Sequence, residues 1–283
     1  MRWMFMVIFA FSLFINQGFC GEKLQLFFDP PIAWQGKVIT ITAVSPEGVT
    51  AITGSFLNNE FKFYRQGNSF RGIVGVPVDQ KTGSYPLKLA VTKGSWGTAE
   101  VVQELKVWKT KFPFSRFWLP PARNKLRART IIDDEWGRIE QVLVVEDLQK
   151  RWQGEFGWPT PGPVSQGFGH RQIINGKGGS NHRGVDIAVT TGTKILAPNN
   201  GKVVFADQLK AFGGTIVLDH GWGIHTLYFH LSKFAAEVGD EVTKGALVAY
   251  SGNSGVSSGA HLHWGMSVHN LRVDPIQWIK HEL

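Results

Sequence analysis

The sequence predicts a mainly β protein with two domains, and three observations lead to this prediction. The chain has 283 residues, enough for two domains of about 150 residues each. Its 33 glycines fall largely in turn-like clusters in the C-terminal half, which favours many short strands over long helices. Its composition, with 43% hydrophobic and 18% charged residues, is that of an ordinary globular protein.

Residues 1–20 have the pattern of a secretory signal peptide. Arg2 gives a positive start, and the apolar run over residues 3–15 is shorter than the ~20 residues that a membrane-spanning helix needs. Gly18 and Cys20 place small residues before a cut that follows Cys20. We expect export across the inner membrane, a periplasmic or cell-envelope location, and no stable membrane insertion after cleavage. An uncleaved anchor is the alternative.

The cysteine count and the net charge limit the possible ligands and partners. Cys20 is the only cysteine, so after its loss any metal must be held by His, Asp or Glu. The net charge of +8 favours a polyanionic partner such as a cell-wall polymer, although it could equally serve solubility. Export and the lack of any nucleic-acid motif argue against nucleic acid as a partner.

Residues 21–108 consist of short segments rich in β-branched and aromatic residues. Turn-like sequences such as Asn58-Asn59 separate them. This spacing predicts an immunoglobulin-like β-sandwich without a disulfide. The predicted strands cover residues 24–28, 38–43, 49–57, 61–65, 70–74, 85–91 and 101–107.

Residues 109–151 are predicted to form a linker with one helix. Two proline-containing stretches, 112–113 and 119–121, break regular structure. The helix is expected over residues 134–150, with Asp133 as its N-cap. Apolar residues at helical spacing predict a stripe that docks on a neighbouring domain. This stripe contains Trp136, Ile139, Val142 and Leu143.

Residues 152–283 return to short strands separated by glycine-rich turns. No crossover helix is predicted between them, so the sheet should be mostly antiparallel. The clearest predicted strands cover residues 202–206, 215–219, 225–230, 246–251 and 261–268.

The C-terminal domain also contains the residue pattern that indicates chemistry. In His261-Leu262-His263 both imidazoles emerge on one face of a strand, because side chains alternate along a strand. The pair could bind one metal jointly, or one member could bind it while the other stands beside it. His182 and Asp186 offer an imidazole and a carboxylate, both good zinc ligands.

A further histidine lies in the stretch Thr226 to Leu231. By the same alternation, Tyr228 and His230 are predicted to share one face, while Leu227 and Phe229 share the opposite, buried face. A single histidine is most often structural, but the histidine pair downstream makes an active-site position for His230 the better interpretation.

These motifs resemble the lysostaphin-type zinc metallopeptidases, the family of secreted cell-wall endopeptidases, over about residues 160–275. The first stretch is Asn181-His182-Arg183-Gly184-Val185-Asp186-Ile187-Ala188. Trp264 stands where the family often has Phe, and Phe229 where it often has Ala. Further stretches follow in the family's order at 192–193, 197–198, 201–203, 213–214, 219–221, 227–231, 238–242, 252–255, 261–264 and 273–275.

The resemblance implies a role for each matching residue. His182, Asp186 and His263 would hold one Zn²⁺ per chain, and His230 and His261 would be the two histidines beside it. Three protein ligands leave a fourth position open to water or a substrate carbonyl. Either free imidazole could act as the general base, with the other stabilising the oxyanion.

The predicted function is therefore a secreted zinc endopeptidase that hydrolyses peptide cross-links of bacterial peptidoglycan. The alternative is a non-catalytic envelope regulator that binds and activates another wall hydrolase. Such proteins usually lose metal ligands, whereas all five site residues are present here. The bond cut remains open between a glycyl bridge and a D-alanyl–diaminopimelate link. Contact of the N-terminal region, residues 21–151, with the cleft is a further hypothesis.

Overall fold

The computed structural model describes residues 24–44, 47–94 and 97–280, so the predicted signal peptide lies outside the described residues. The chain divides into two compact units. Unit 1 contains the strands between residues 24 and 109, and unit 2 contains residues 110–283 together with the short stretches 35–37 and 77–80. Within the described part of the chain, no helix combines the length and apolar character needed to cross a membrane.

Unit 1 is built from strands over the residues that the structure describes, and each predicted strand of this region is present. The strand order is β1-β3-β6-β5 followed by β4-β7-β8-β2. The described neighbours are antiparallel except β2 and β8. The strands are β1 (Gln25–Asp29), β2 (Ala33–Trp34), β3 (Val38–Val44), β4 (Val49–Phe56), β5 (Asn59–Gln66), β6 (Ser69–Gly75), β7 (Gly83–Lys93) and β8 (Thr98–Trp108).

The orders β1-β3-β6-β5 and β4-β7-β8 follow the A-B-E-D and C-F-G strands of an immunoglobulin constant-type sandwich, but here β5 also pairs with β4, so that the two halves are joined in one hydrogen-bonded order. Alternate residues of its strands point into one apolar core. Ile41 of β3 and Leu87 and Leu89 of β7 are completely buried there. Because the chain has a single cysteine, no disulfide can form within it, and burial of apolar surface stabilises this unit.

The described part of unit 2 contains three helices and fourteen strands. Its helices are α1 (Pro121–Lys125), α2 (Arg129–Leu143) and α3 (Ile276–Lys280). Its strands are β9 (Phe114–Phe117), β10 (Val164–Gln166), β11 (Arg171–Ile174), β12 (Lys177–Asn181), β13 (Val185–Ile187), β14 (Lys194–Leu196), β15 (Gly201–Gln208), β16 (Gly214–Gly221), β17 (Ile224–Leu231), β18 (Lys233–Phe234), β19 (Glu241–Val242), β20 (Leu247–Tyr250), β21 (Leu262–Val268) and β22 (Leu271–Val273).

The main sheet of unit 2 has the order β10-β13-β21-β17-β16-β15-β19, with β22 also paired to β21. Two three-stranded sheets accompany it, β12-β11-β9 and β14-β20-β18. Every described pair in unit 2 is antiparallel except β9 with β11. The predictions of a mainly β fold and of a mostly antiparallel C-terminal sheet are therefore confirmed.

The two faces of the main sheet pack on different partners. One face contributes Tyr228, Leu262 and Trp264 to the principal apolar core of the unit. The opposite face is covered in part by α2, whose Ile139 and Leu143 pack against apolar residues of β16 and β17. The predicted apolar stripe therefore does dock, and it docks on the strands that lead to the histidine motifs.

The bounds of α2 differ from the sequence prediction of a helix over residues 134–150. The helix begins at Arg129 and ends at Leu143. Asp133 is not the N-cap, because it lies inside the first turns, where it accepts a hydrogen bond from Arg129 at 3.1 Å. The chain leaves the helix at Val144, and farther along Asp147 accepts the backbone N–H of Gln149, which forms a turn.

The segment 109–151, predicted as a linker, is mostly built into unit 2. Strand β9 forms a ladder with β11, in which Arg116 pairs with Ile173. The carboxylate of Glu135 in α2 accepts backbone N–H groups of Lys210, Ala211 and Phe212. These contacts hold the segment in place, because release of the carboxylate would leave the buried Ala211 N–H without its acceptor.

Candidate metal centre and cleft

Three neighbouring strands bring the candidate ligands together. Asp186 of β13 pairs in register with His263 of β21, and His263 pairs in turn with Phe229 of β17. Their side chains share one face of the sheet, because directly opposite residues point the same way. Leu262 and Trp264 point into the core on the other face, as the alternation in His261-Leu262-His263 predicts.

His182 reaches the same point from the loop that precedes β13. Gly184 makes this approach possible, because a Cβ at that position would lie 2.6 Å from both His263 Nε2 and the Trp264 carbonyl oxygen. Any side chain there would therefore clash with the candidate ligand and with the backbone of β21.

The three candidate ligand atoms form a small triangle. His182 Nε2 lies 2.9 Å from His263 Nδ1 and 3.0 Å from Asp186 Oδ1, and His263 Nδ1 lies 2.9 Å from the same oxygen. Ligand atoms on a tetrahedral zinc, with bonds of about 2.0–2.1 Å, lie about 3.3 Å apart. The side chains present thus fit a metal ion of this size with little adjustment.

Hydrogen bonds alone do not account for this triangle. If both imidazole nitrogens donate to Asp186, two N–H groups face each other across the remaining 2.9 Å contact between His182 and His263. If one of the two nitrogens is unprotonated, its lone pair faces the negatively charged carboxylate oxygen instead, which is also unfavourable. A cation between the three atoms removes the conflict, because each of them then contributes a lone pair to the same ion.

Surrounding contacts orient the three candidate ligands. Nδ1 of His182 donates to the Gly167 carbonyl at 3.0 Å, which leaves Nε2 with its lone pair toward the centre. The His263 ring stacks on Phe229 with an angle of 10° and a centroid distance of 5.2 Å. Burial would raise the pKa of Asp186, but His182 and His263 outweigh it and hold that pKa well below its usual value.

The two remaining histidines of the motif stand beside the triangle. His230 Nδ1 donates to the Ser254 carbonyl at 2.8 Å, and His261 Nδ1 donates to the Gly259 carbonyl at 2.9 Å. A carbonyl can only accept, so both rings carry a hydrogen on Nδ1, and Nε2 is the nitrogen that has the lone pair in the neutral form of each ring. The rings are 4.8 Å apart, and His261 Nε2 lies 3.7 Å from Asp186 Oδ1.

The deeply buried His230 and His263 both favour the neutral ring. Burial lowers the pKa of His230 well below its usual value, and the nearby His261 and His263 lower it further. Burial likewise lowers the pKa of His263 to about 4, although the hydrogen bond to Asp186 opposes this shift. The neutral ring is the form that binds a metal ion.

The position of His230 corrects the alternation argument made from the sequence. Alternation would place His230 on the face of Tyr228, away from His263. In the structure Tyr228 is in the core, whereas Phe229 and His230 both line the cleft. The reason is the backbone of His230, which has a left-handed φ of 63° and turns the ring to the face of the metal centre.

The centre lies in a cleft of about 970 Å³ whose described lining comes from unit 2. Ser115, Arg116 and Phe117 of β9 contribute to this lining, as do Arg127 and Trp136 of the following helical segment. The segment between Ser115 and Trp136 therefore contributes to the cleft lining, which the prediction of a linker did not include.

Glu135 is an organising residue that the sequence analysis missed. It holds the loop of Ala211 and Phe212 through their backbone N–H groups. The Phe212 carbonyl in turn accepts the backbone N–H of His230 at 3.0 Å, which joins this loop to the end of β17. No local sequence signal marks Glu135, because its partners lie about 75 residues away along the chain.

The comparisons with known proteins agree with this geometry. The model of peptidase family M23 matches residues 180–275, the stretch that contains all five predicted site residues. A crystal structure of a Pseudomonas aeruginosa protein described as a peptidase M23 aligns with a TM-score of 0.66 at 26% identity, covering 88% of this chain and 94% of that one. Residues 180–275 therefore contain a domain of peptidase family M23, the lysostaphin-type metallopeptidases.

Several curated proteins are similar to the C-terminal part of this chain. A metalloprotease of Haemophilus influenzae is 41% identical over 96 residues, covering 34% of this chain and 20% of the relative. The glycyl-glycine endopeptidase ALE-1 of Staphylococcus capitis is 36% identical over 121 residues, covering 41% of this chain and 33% of the relative. The DD-carboxypeptidase/endopeptidase Mpg of Neisseria meningitidis is 33% identical over 95 residues, covering 34% and 22%. The chain thus spans a third or less of these relatives.

Proposed function

We propose that this protein is a zinc endopeptidase that hydrolyses peptide cross-links of bacterial peptidoglycan. The observation that supports this most directly is the triangle of His182, Asp186 and His263 beside two imidazoles with free Nε2 lone pairs. The similar proteins named above include a glycyl-glycine endopeptidase and a DD-carboxypeptidase/endopeptidase, which favours an amide bond of the wall as the target.

The proposed metal ligands are His182 Nε2, His263 Nδ1 and Asp186 Oδ1. Two neutral imidazoles and one carboxylate are a common ligand set of catalytic zinc, and they leave the ion with a net positive charge. When bound, zinc would supply Lewis-acid polarisation of a carbonyl and lower the pKa of a water molecule. The hydrogen bond from His182 to Gly167 fixes the tautomer that this role needs.

His230 and His261 are proposed to move the protons of the reaction. Each ring is held by a backbone carbonyl on Nδ1 and presents Nε2 to the cleft, so each can accept a proton there. One ring would take the proton from the attacking water, and the protonated ring would then stabilise negative charge on the substrate and protonate the leaving amine. Their similar geometry leaves both assignments of the general base open.

The proposed site of action is the cell envelope, reached through the signal peptide that the sequence predicts. A wall polymer rich in carboxylates also fits the net charge of +8. A contact of the immunoglobulin-like unit with the cleft stays a prediction.

Metal analysis and wall digestion test the proposed function together. Purified protein is expected to contain one zinc per chain and to release new peptide termini from isolated sacculi. His182→Ala should lose both the metal and the activity. His261→Gln should keep the metal and lose about 10²–10⁴-fold in kcat, the usual contribution of a general acid or base. Arg129→Gln, an exposed change outside the cleft, serves as the control.

One result would favour the envelope regulator instead. If sacculi remain uncut by the zinc-loaded protein, and if His182→Ala retains the biological function of the wild type, catalysis is not what this chain contributes.

A further inference from the structure

The charge of the cleft is strongly one-sided. Its lining includes four arginines, Arg116, Arg127, Arg183 and Arg272, and a single acidic residue among the described ones, Asp186. Asp186 is one of the proposed metal ligands, so a bound divalent ion would more than offset its charge. The cleft that the substrate enters is therefore cationic, which favours an anionic substrate.

The four arginines differ in whether a carboxylate of the chain pairs with their guanidinium group. Arg183 donates to Asp79 at 3.1 Å and is thus paired. Among the described residues, the other three have no carboxylate partner. Arg127 donates to the side-chain oxygen of Asn124 at 3.1 Å, and Arg116 is exposed on β9. Both guanidinium groups are thus available to a carboxylate from outside the chain.

Arg272 shows that this cationic character extends to the floor of the cleft. Its side chain is 7% exposed, and one of its nitrogens donates to the Arg183 carbonyl at 2.7 Å. The guanidinium lies 5.3 Å from the Trp136 ring and 5.8 Å from the Phe229 ring. Its buried Nε has no hydrogen-bond partner within the described part of the chain. A buried, unmatched cation is costly, and an anion bound in the cleft would offset part of that cost.

Two of the unmatched arginines come from the segment that precedes the family match. Arg116 lies on β9, and Arg127 lies in the turn between α1 and α2. Both stand outside residues 180–275, so the M23 core supplies the metal centre while the added segment supplies these charges.

We propose that this cleft selects cross-link peptides that carry a free carboxylate close to the scissile amide, and that Arg116 and Arg127 bind this carboxylate. The proposal rests on the proposed function and narrows its substrate class. A direct link to diaminopimelate carries such a carboxylate, whereas a glycyl bridge carries none along its length. The unmatched Arg272 strengthens the preference through its charge.

The test compares two soluble cross-linked peptides that differ in one group. One contains diaminopimelate with its free carboxylate, and the other contains the same residue with that group amidated. The wild-type zinc protein should have a higher kcat/KM on the free acid. The double variant Arg116→Gln/Arg127→Gln should lose roughly tenfold on the acid and little on the amide. Added salt should reduce the wild-type preference as well.

Arg129→Gln is the control for loss of a nearby positive charge, because it removes one arginine two residues from Arg127 without altering the cleft lining. The proposal is overturned if the double variant behaves like this control, or if it loses the same factor on both peptides. Either result leaves the proposed function intact as long as the wild type and the double variant still cut the wall.

Equilibrium binding separates the two proposals if no cleavage is seen. Calorimetric titration with the free-acid and amidated peptides measures the carboxylate preference without turnover. A preference that the double variant loses supports the arginine site even in a protein that cuts nothing. Equal binding of both peptides by the wild type refutes the site.

Discussion

Replacing Glu135 with alanine tests whether α2 is a structural part of the catalytic unit. The Glu135 side chain is buried, and its carboxylate accepts three consecutive backbone N–H groups, those of Lys210, Ala211 and Phe212. The substitution removes all three acceptors at once. It therefore acts directly on the cleft loop that these three residues form.

The size of the effect follows from the exposure of the three donors. Lys210 is exposed, so water can replace the carboxylate there, whereas Ala211 is buried and Phe212 is partly buried. An unsatisfied buried donor costs about 1–3 kcal/mol, so we expect a loss of about 2–5 kcal/mol in the free energy of unfolding of unit 2. For a unit of this size, each kcal/mol lowers Tm by about 2–4 °C.

Thermal unfolding followed by circular dichroism measures this loss. Asp134→Ala is the matched control, because Asp134 is the exposed neighbour of Glu135 on the same helix. The Tm of Glu135→Gln should fall between those of Glu135→Ala and Asp134→Ala, since the amide keeps one acceptor oxygen and places an NH₂ group against the remaining donors. Wall-cleaving activity should fall with Glu135→Ala as well, because Phe212 holds the backbone of His230. If Glu135→Ala and Asp134→Ala melt within about 2 °C of each other, roughly the effect of one kcal/mol or less, the docking argument is wrong.

Three further predictions concern the core, a buried acid and the metal. Ile139→Ala removes a completely buried side chain and should cost about 2–5 kcal/mol in denaturant unfolding, whereas the exposed Val145→Ala should cost almost nothing. Burial raises the pKa of Asp219 to about 6. Because the pKa in the folded state lies above that in the unfolded state, ionisation of the carboxyl destabilises the fold. This cost grows between about pH 4 and 6 and is complete above that range. Asp219→Asn should therefore raise Tm at about pH 8 and leave it unchanged below about pH 4. A chelator should lower Tm, with recovery on adding zinc, and the shift should be absent in His182→Ala.

Local pattern was sufficient to predict most of the strands and the shared face of His261 and His263, whereas the family resemblance joined Asp186 to them. In each of these cases the relevant rule acts over a few residues. Side chains two apart on a strand share a face, and an apolar stripe at helical spacing docks on another element. The family resemblance added the order of the motifs along the chain.

The remaining features depend on partners that are distant in sequence or on a single backbone angle. The role of Glu135 follows from backbone groups about 75 residues away. The φ of 63° at His230 reverses the direction that alternation assigns to its ring. Arg272 is buried between rings of α2 and β17, and its own strand gives no sign of that environment. Such features arise only when separate elements meet.

The packing of α2 determines where the chain can be cut to isolate the peptidase. A fragment that starts at Trp152 would lack Ile139 and Leu143 and would open an apolar strip beside Phe229 to water. It would also lose Arg116 and Arg127 of the cleft. A changed cleavage rate could then come from misfolding, from weaker substrate binding or from release of inhibition, and the three causes could not be separated. Truncation at residue 110 keeps α2 and these arginines, but it removes the stretches 35–37 and 77–80 of unit 2, among them Asp79, the partner of Arg183.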